Sequence, residues 1–484
     1  MKYISTRGGM TPALYSAILL EGLATDGGLV VPETVPQLKL SEIESWRGLK
    51  YHQLATEVLS YYATDIPGRD LAAMCKRAYS KTNFPGPRVP LTTVAVNTAG
   101  DELTLVGLSE GPTLAFKDMA MQFLGQSLEY VLAKTGRALN ILGATSGDTG
   151  SAAEYALRGK DGVAVFMLSP QGRMSDFQRA QMYSLDDANI HNIAVDGVFD
   201  DCQNLVKELS SDLDFKRSHA LGTVNSINLG RISAQIVYYF WSWLRASDAL
   251  SAEEREDFRV SFTVPSGNFG NILSGYMAKA MGLPIRRLVL AANENNVLDE
   301  FFRTGVYAPR SAADTHATSS PSMDISKASN LERFIFEVVD RDPQRLAACW
   351  RELDETGRID LSAELPRFER EFGFRSGTST HADRVATIRA AHEASGVIID
   401  PHTADGVKVA LEHLEDGVPM LVLETAKPEK FPDIVFEATG ERLGVPERLE
   451  GLLELPQHVT EMANDAAALR DFVAARATQA GDRG

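Results

Sequence analysis

The segment ALNILGATSGDTGSAAEYALRGKDGVAVFML, residues 138–168, decides the fold. ALNILGA (138–144) is a short apolar run that reads as a strand. A turn of small and hydroxyl residues follows, and Ser151–Arg158 then reads as a helix. GVAVFML (162–168) is apolar again and reads as a second strand. Strand, helix and strand in that order predict a right-handed crossover and a parallel sheet. The same alternation extends outward in both directions. LTLVGL (103–108) precedes a helix over Phe116–Leu132, whose apolar residues Phe116, Met119, Phe123, Leu128 and Val131 recur near the 3.6-residue period. IHNIAV (190–195), FRVSFTV (258–264), RRLVLAA (286–292) and PMLVLET (419–425) are further strands, with a helix from Asn271 to Met281. Residues 300–380 read as polar and irregular, with helices over Asn330–Val339 and Pro343–Leu353. The expected fold class is α/β: two mostly parallel α/β/α units behind a mainly helical N-terminal extension. The expected division is an extension (1–95), a smaller unit (96–220), a larger unit (221–440) and a helical tail (441–484).

A chain of 484 residues suggests about three domains. Hydrophobic residues at 44% and charged residues at 23% exclude a largely disordered protein. A formal net charge of −17 argues against a nucleic-acid binder or a partner for anionic membranes, both of which need a basic surface. It leaves anionic small molecules open, because a few local donors can hold a phosphate inside an acidic protein. Cys75, Cys202 and Cys349 are far apart, so neither a zinc knuckle nor a disulfide framework is indicated and no metal is expected. The expected compartment is a reducing cytoplasm. The longest strongly apolar run, IVYYFWSWL (236–244), is nine residues and too short to span a bilayer. The N-terminus lacks the pattern of a signal peptide.

In such sheets ligands bind where strands run into helices, and four segments there have unusual composition. In VPSGNFGNILSGYMAKAMG (264–282), Gly267 and Gly270 let successive backbone N–H groups converge at a helix start, forming a phosphate cup around Gly267, Asn268, Phe269, Gly270 and Asn271. An ordinary strand-to-helix turn fits the same residues. The turn matches neither the dinucleotide fingerprint nor the P-loop. In EGPTLAFKD (110–118), Lys117 lies near a helix start, where burial and the helix end favour the neutral amine that Schiff-base chemistry needs, and Asp118 opposes it. Taken alone, Lys117 also reads as a solvated first-turn lysine. GATSGDTG (143–150) offers the Thr145, Ser146 and Thr149 hydroxyls at another helix start, either to hold a carboxylate or to cap the helix. TVNSINLGRISAQ (223–235) concentrates Asn225, Ser226, Asn228 and Arg231, a set suited to phosphate and equally compatible with a polar turn.

Together these segments resemble the pyridoxal-phosphate-dependent threonine synthase family. G-P-T-x-x-F-K-D is similar to its cofactor-lysine motif, T-S-G-D-T-G to its substrate-carboxylate loop, S-G-N-F-G-N to its cofactor-phosphate loop and N-S-I-N-x-x-R to its substrate-phosphate segment. YISTRGG (3–9), GLATDGGLVVP (22–32), DPHTADG (400–406) and TAKPEKF (425–431) add to the likeness, in family order along nearly the whole chain. The long N-terminal extension resembles the branch of Gram-negative bacteria and fungi. The lysine precedes the glycine-rich loop, as in fold type II enzymes of this cofactor, whereas in aminotransferase-type enzymes it comes late.

The resemblance implies a pyridoxal 5′-phosphate lyase that converts O-phospho-L-homoserine and water to L-threonine and phosphate. It places Lys117 as the Schiff-base residue and base, and Thr425 beside the pyridine nitrogen, where a hydroxyl leaves the ring neutral. It assigns Thr145, Ser146, Asp148, Thr149, Asn225, Ser226, Asn228 and Arg231 to the substrate. Asp148 stands where several relatives of this fold carry an Asn near the cofactor's 3′-oxygen. A monomer or homodimer is expected. The alternatives are a phospho-lyase acting on a related phosphorylated hydroxy amino acid and a non-catalytic binding protein on the same fold.

Overall fold

Val260–Pro265 and Val163–Pro170 are buried at every residue, which requires cover on both faces of each strand. The computed structural model, which describes residues 1–479 apart from Thr98 and Ser146, places them at the centres of two sheets. The larger sheet has six strands in the order Phe374–Thr378, Ile285–Ala292, Val260–Pro265, Met420–Glu424, Glu102–Gly107, Leu91–Ala95. All neighbours are parallel except the last pair, which is an antiparallel hairpin. The smaller sheet has five parallel strands in the order Thr460–Met462, Ile190–Val195, Val163–Pro170, Leu139–Ala144, Leu221–Gly222.

The strands expected from the apolar runs are present. Four others in the two sheets were not foreseen, Leu91–Ala95, Leu221–Gly222, Phe374–Thr378 and Thr460–Met462; FRSGT (374–378) and TEM (460–462) carry no apolar run of their own and take their conformation from a neighbouring strand edge. The sheets also cut across sequence order. Leu91–Ala95 and Glu102–Gly107 belong to the larger sheet, while Thr460–Met462 completes the smaller one. The end of the described chain is fastened there: Thr478 N donates to Asn140 Oδ1 at 2.9 Å, and Asn140 Nδ2 donates to Thr478 O at 3.1 Å.

The run 236–244 lies in the helix Leu229–Ala246, which packs against the helices Tyr51–Ser60, Lys117–Thr135 and Gly270–Ala280. Apolar on most sides, it is an inner helix rather than a surface one. Tyr238, Phe240 and Trp243 are fully buried, each worth roughly 1.5–3 kcal/mol. Among the described residues no helix is long and apolar enough to cross a membrane. The extension contributes four short helices and a two-stranded hairpin, Tyr3–Ser5 with Val30–Pro32. Its loops are tied inward. Ser5 Oγ and Gly9 N donate to Asp26, and Thr6 Oγ1 and Arg7 reach Glu332 at 2.6 and 2.9 Å.

Five of the loops that matter leave carboxyl ends of strands. They follow Glu102–Gly107, Val260–Pro265 and Met420–Glu424 in the larger sheet, and Leu139–Ala144 and Leu221–Gly222 in the smaller. This is where an open parallel sheet presents a ligand crevice.

Candidate active site

Lys117 is the first residue of the helix Lys117–Thr135, and its side chain is 13% exposed. The loop before it is shaped locally. Asp118 accepts hydrogen bonds from Thr113 N and Thr113 Oγ1, both at 2.8 Å, which folds residues 111–113 back over the helix start. Gly111 is required there, since a Cβ would lie 2.4 Å from Asp118 Cβ. Phe116 N donates to Thr425 O at 2.8 Å, so the lysine loop is pinned to the loop after Met420–Glu424. Burial pushes the Lys117 ammonium down to about 8, aided by Lys430 and Arg231 and opposed by Asp148. Asp118 is a minor opponent. Its own carboxyl is buried and pushed up to about 6.

Asp148 begins the helix Asp148–Leu157 and faces the lysine, with Oδ2 3.9 Å from Lys117 Nζ. Its stronger partner is Lys430, fully buried, whose Nζ lies 2.5 Å from Asp148 Oδ1 and donates to Thr113 O at 2.9 Å. Ser322 Oγ and Gln178 Nε2 also donate to the same carboxylate. Burial alone would raise the Asp148 carboxyl, but the two ammonium groups hold it well below the usual carboxylate range. His402 supports this corner. Its Nε2 accepts from Ser322 N, and its Nδ1 bonds Asp400 Oδ1 at 2.8 Å. Asp400 also caps the helix Pro401–Leu411 and accepts from Thr403 Oγ1, which in turn accepts from Thr425 N. His402 is therefore a positioning group, as a structural histidine would be. Lys427 is paired with Glu110 and Glu424 outside this corner.

The glycine-rich turn has the form of an anion cup. Phe269 adopts a left-handed backbone (φ 64°), and the helix Gly270–Ala280 starts directly after it. That conformation costs a phenylalanine energy, offset by its ring packing against Phe302, Phe334 and Phe374. Phe269 thus brings only its backbone to the turn. The amides of Gly267–Asn271 donate to no other backbone or side-chain group among the described residues. A Cβ on Gly267 would lie 3.0 Å from Ile325 Cδ1 and 3.1 Å from Met323 Cα, so the chain must pass there without a side chain. Asn271 Oδ1 accepts from Tyr238 OH and Tyr239 OH, while its Nδ2 is buried without a partner. Thr425 Oγ1 is likewise buried and unpartnered.

The Asn225–Arg231 segment runs from the strand Leu221–Gly222 into the helix Leu229–Ala246. Arg231 is 5% exposed, donates from Nη1 to Val224 O at 3.1 Å, and has Nε buried without a partner. It pairs with no carboxylate among the described residues, and burial pushes its guanidinium down to about 10. Asn225 Oδ1 is also buried and unpartnered. Ser226 Oγ meets Ser329 Oγ at 3.3 Å.

Several expected ligands are engaged elsewhere. Asn228 caps its own helix through Gly230 N and ties Leu19 O, so its side chain builds the segment rather than facing the crevice. Thr145 Oγ1 accepts from Gly147 N and Gly150 N and shapes its loop. Thr149 is half-buried at the helix start. Ser146 lies outside the described residues. Sequence reading missed Lys430, Ser322 and Gln178. Lys430 stands in the quoted TAKPEKF, but nothing in a run of charged and proline residues marks one lysine as buried.

A buried lysine of lowered basicity, an anion cup with free amides and an unpaired hydroxyl on the facing loop fit pyridoxal phosphate. The larger part of the chain agrees. Residues 84–363 match the family model described as pyridoxal-phosphate dependent enzyme, so the chain falls in that class. Residues 2–79 match threonine synthase N terminus, and residues 403–473 match threonine synthase, C-terminal. The chain is 54% identical to the threonine synthase of Methylobacillus glycogenes, covering 98% of this chain and 99% of that one. It is 51% identical to that of Corynebacterium glutamicum, covering 98% of both. A crystal structure of PLP-bound threonine synthase from Brucella melitensis superposes with a TM-score of 0.92 at 40% identity, over 99% of each chain. The chain belongs to the threonine synthase family. It is a pyridoxal-phosphate-dependent lyase of threonine biosynthesis.

Proposed function

We propose that the substrate is O-phospho-L-homoserine, converted with water to L-threonine and phosphate. The observation that carries this reading is Arg231, a buried guanidinium with no carboxylate partner among the described residues. Leaving such a charge unmatched is costly, and a substrate phosphate supplies the missing anion.

Bound pyridoxal phosphate supplies the electron sink for the reacting carbons. The amides of Gly267, Asn268, Phe269, Gly270 and Asn271 hold its phosphate at the helix start. Thr425 Oγ1, buried and unpartnered, would serve the ring nitrogen as a neutral hydrogen-bond partner. Lys117 would hold the cofactor, and its freed amine would take and return protons at Cα and Cβ. An ammonium lowered to about 8 releases its proton near neutral pH at little cost. The 145–149 loop receives the substrate carboxylate at the helix start of Asp148–Leu157. Asn225 and Ser226 join Arg231 on the departing phosphate. Asn228 acts by capping the helix that carries Arg231. Asp148, held ionised mainly by Lys430, stands beside Lys117 without fixing a proton on it. The working form is a monomer or homodimer in the cytoplasm.

The test is the product formed from O-phosphohomoserine by purified enzyme. Threonine and phosphate in equal amounts are expected. Ketobutyrate as the only organic product would assign the chain to the phospho-lyase alternative.

A further inference from the structure

Asn330 is fully buried just before the helix Leu331–Val338, and each of its polar groups is engaged. Its backbone N donates to Asn268 O at 3.2 Å, in the glycine-rich loop. Its side-chain Nδ2 donates to Ser226 O at 3.1 Å, in the Asn225–Arg231 segment. Arg333 Nη1 donates to its Oδ1 at 2.6 Å, and Arg333 N donates to its carbonyl at 3.1 Å. The neighbours repeat the pattern. Ser329 Oγ donates to Asn268 Oδ1 at 3.2 Å and meets Ser226 Oγ at 3.3 Å. Arg333 Nη2 donates to Ile227 O at 2.7 Å, and its Nε donates to Val30 O at 2.9 Å in the extension.

The two bridged loops leave strands of different sheets, Val260–Pro265 in the larger and Leu221–Gly222 in the smaller. Among the described residues Asn330 bonds the two loops directly with one donor each, and its amide plane is held by Arg333. A fixed amide between two backbone carbonyls sets a distance as a spacer does. We propose that Asn330 is a positioning residue that sets the spacing between the cofactor-phosphate loop and the substrate-phosphate segment, and with it the length of phosphorylated substrate that reacts.

This rests on the reading that Arg231 and Ser226 hold the substrate phosphate and that the Gly267–Asn271 turn holds the cofactor's. The reacting carbon is fixed relative to the cofactor, so moving Ser226 shifts the phosphate end of the substrate against the chemistry. A displacement of about 1 Å is enough to cost about 10²-fold. N330D keeps the oxygen that Arg333 grips and removes the donor to Ser226 O.

The experiment uses cofactor-loaded enzyme in four forms: wild type, N330D, R231A and the double variant. Binding of inorganic phosphate is measured by calorimetry, KM and kcat with O-phosphohomoserine, and cofactor content by absorbance. N330D is expected to retain its cofactor and to raise KM about tenfold, equivalent to about 1.4 kcal/mol, while inorganic phosphate, which is not tethered to the reacting carbon, binds within about twofold of wild type. In the R231A background the same change adds less than about twofold, since both act on one phosphate. Unchanged KM and kcat in N330D, with phosphate binding weakened in R231A, overturns the inference and leaves the substrate reading standing. An undiminished N330D effect on top of R231A also overturns it. Unchanged phosphate affinity in R231A removes the substrate reading, and the inference goes with it. If N330D is insoluble, N330S carries the same test, because it too loses the donor.

Discussion

Asp148 is shared by two lysines: Oδ1 lies 2.5 Å from Lys430 Nζ and Oδ2 lies 3.9 Å from Lys117 Nζ. The nearer, fully buried lysine takes most of the carboxylate's charge, so Lys117 is left weakly held and easily deprotonated. Replacing Lys430 with Met removes a repelling cation and turns Asp148 wholly toward Lys117. Both changes favour charged Lys117 and raise it above about 8. The acid limb of the kcat–pH profile in K430M should therefore move to higher pH, with lower activity at neutral pH. A profile unmoved or shifted to lower pH would contradict this division of the charge.

Lys117→Ala tests the lysine itself. Reconstituted wild type is expected to be yellow, and K117A to bind cofactor loosely without that colour. Turnover should fall by at least about 10²–10⁴-fold, the usual worth of positioned proton transfer. A visible absorption band in K117A equal to wild type would place the Schiff base on another lysine.

Gly267→Ala tests the cup. The added Cβ would meet Ile325 and the Met323 backbone at 3.0 and 3.1 Å, so the turn must shift by a few tenths of an ångström. Overpacking of this kind costs about 1–3 kcal/mol, and the shift also disperses the converging amides. Cofactor retention through gel filtration should drop more than helix content does by circular dichroism. Full retention in G267A would show that the cup tolerates a side chain.

Glu154 offers a stability prediction outside the site. It is fully buried on the helix Asp148–Leu157, among the described residues neither carboxylate oxygen has a partner at hydrogen-bond geometry, and burial, only partly opposed by the Asn192 side chain, raises its carboxyl well above the ordinary value. The native state therefore keeps a proton that the unfolded state loses. Stability falls as pH rises from the ordinary carboxyl range to the raised native value, by about 1.4 kcal/mol per pH unit for one proton. Glu154→Gln removes that slope. E154Q should match wild type near pH 4 and exceed it by about 1–3 kcal/mol at pH 7–8 in urea unfolding. A variant less stable than wild type at pH 8 would show that the ionised form has an undetected partner.

What the sequence disclosed and what it hid follow a physical division. Gly267 sits in a turn after an apolar strand, and Lys117 and Arg231 lie in the first turn of a helix behind a polar or small-residue segment, features that local composition is enough to mark. The strands Val163–Pro170 and Val260–Pro265 were legible for the same reason, since burial on both faces leaves unbroken apolar runs. Lys430, Ser322 and Asn330 act through partners 282, 174 and 104 residues away along the chain, Asp148 for the first two and Ser226 for Asn330, and no local pattern encodes such a meeting. Asn228 shows the converse. Its neighbourhood reads as phosphate-binding, yet an Asn before a helix is also an N-cap, and here capping absorbs the side chain. Phe374–Thr378 and Thr460–Met462 form strands only because an edge waits for them.

That last edge orders events during synthesis. The smaller sheet presents Ile190–Val195 as an open strand until Thr460–Met462 arrives to pair with it. On the ribosome, every strand of the larger sheet and the whole lysine loop are made before the partner of this edge, and a bare strand edge is open to mispairing with another nascent chain. The helix Ala466–Arg476 then covers the seam against Phe199–Ser211. Residues 460–476 thus cap the smaller sheet: a chain ending before them would keep every other strand and every site residue while leaving that edge bare.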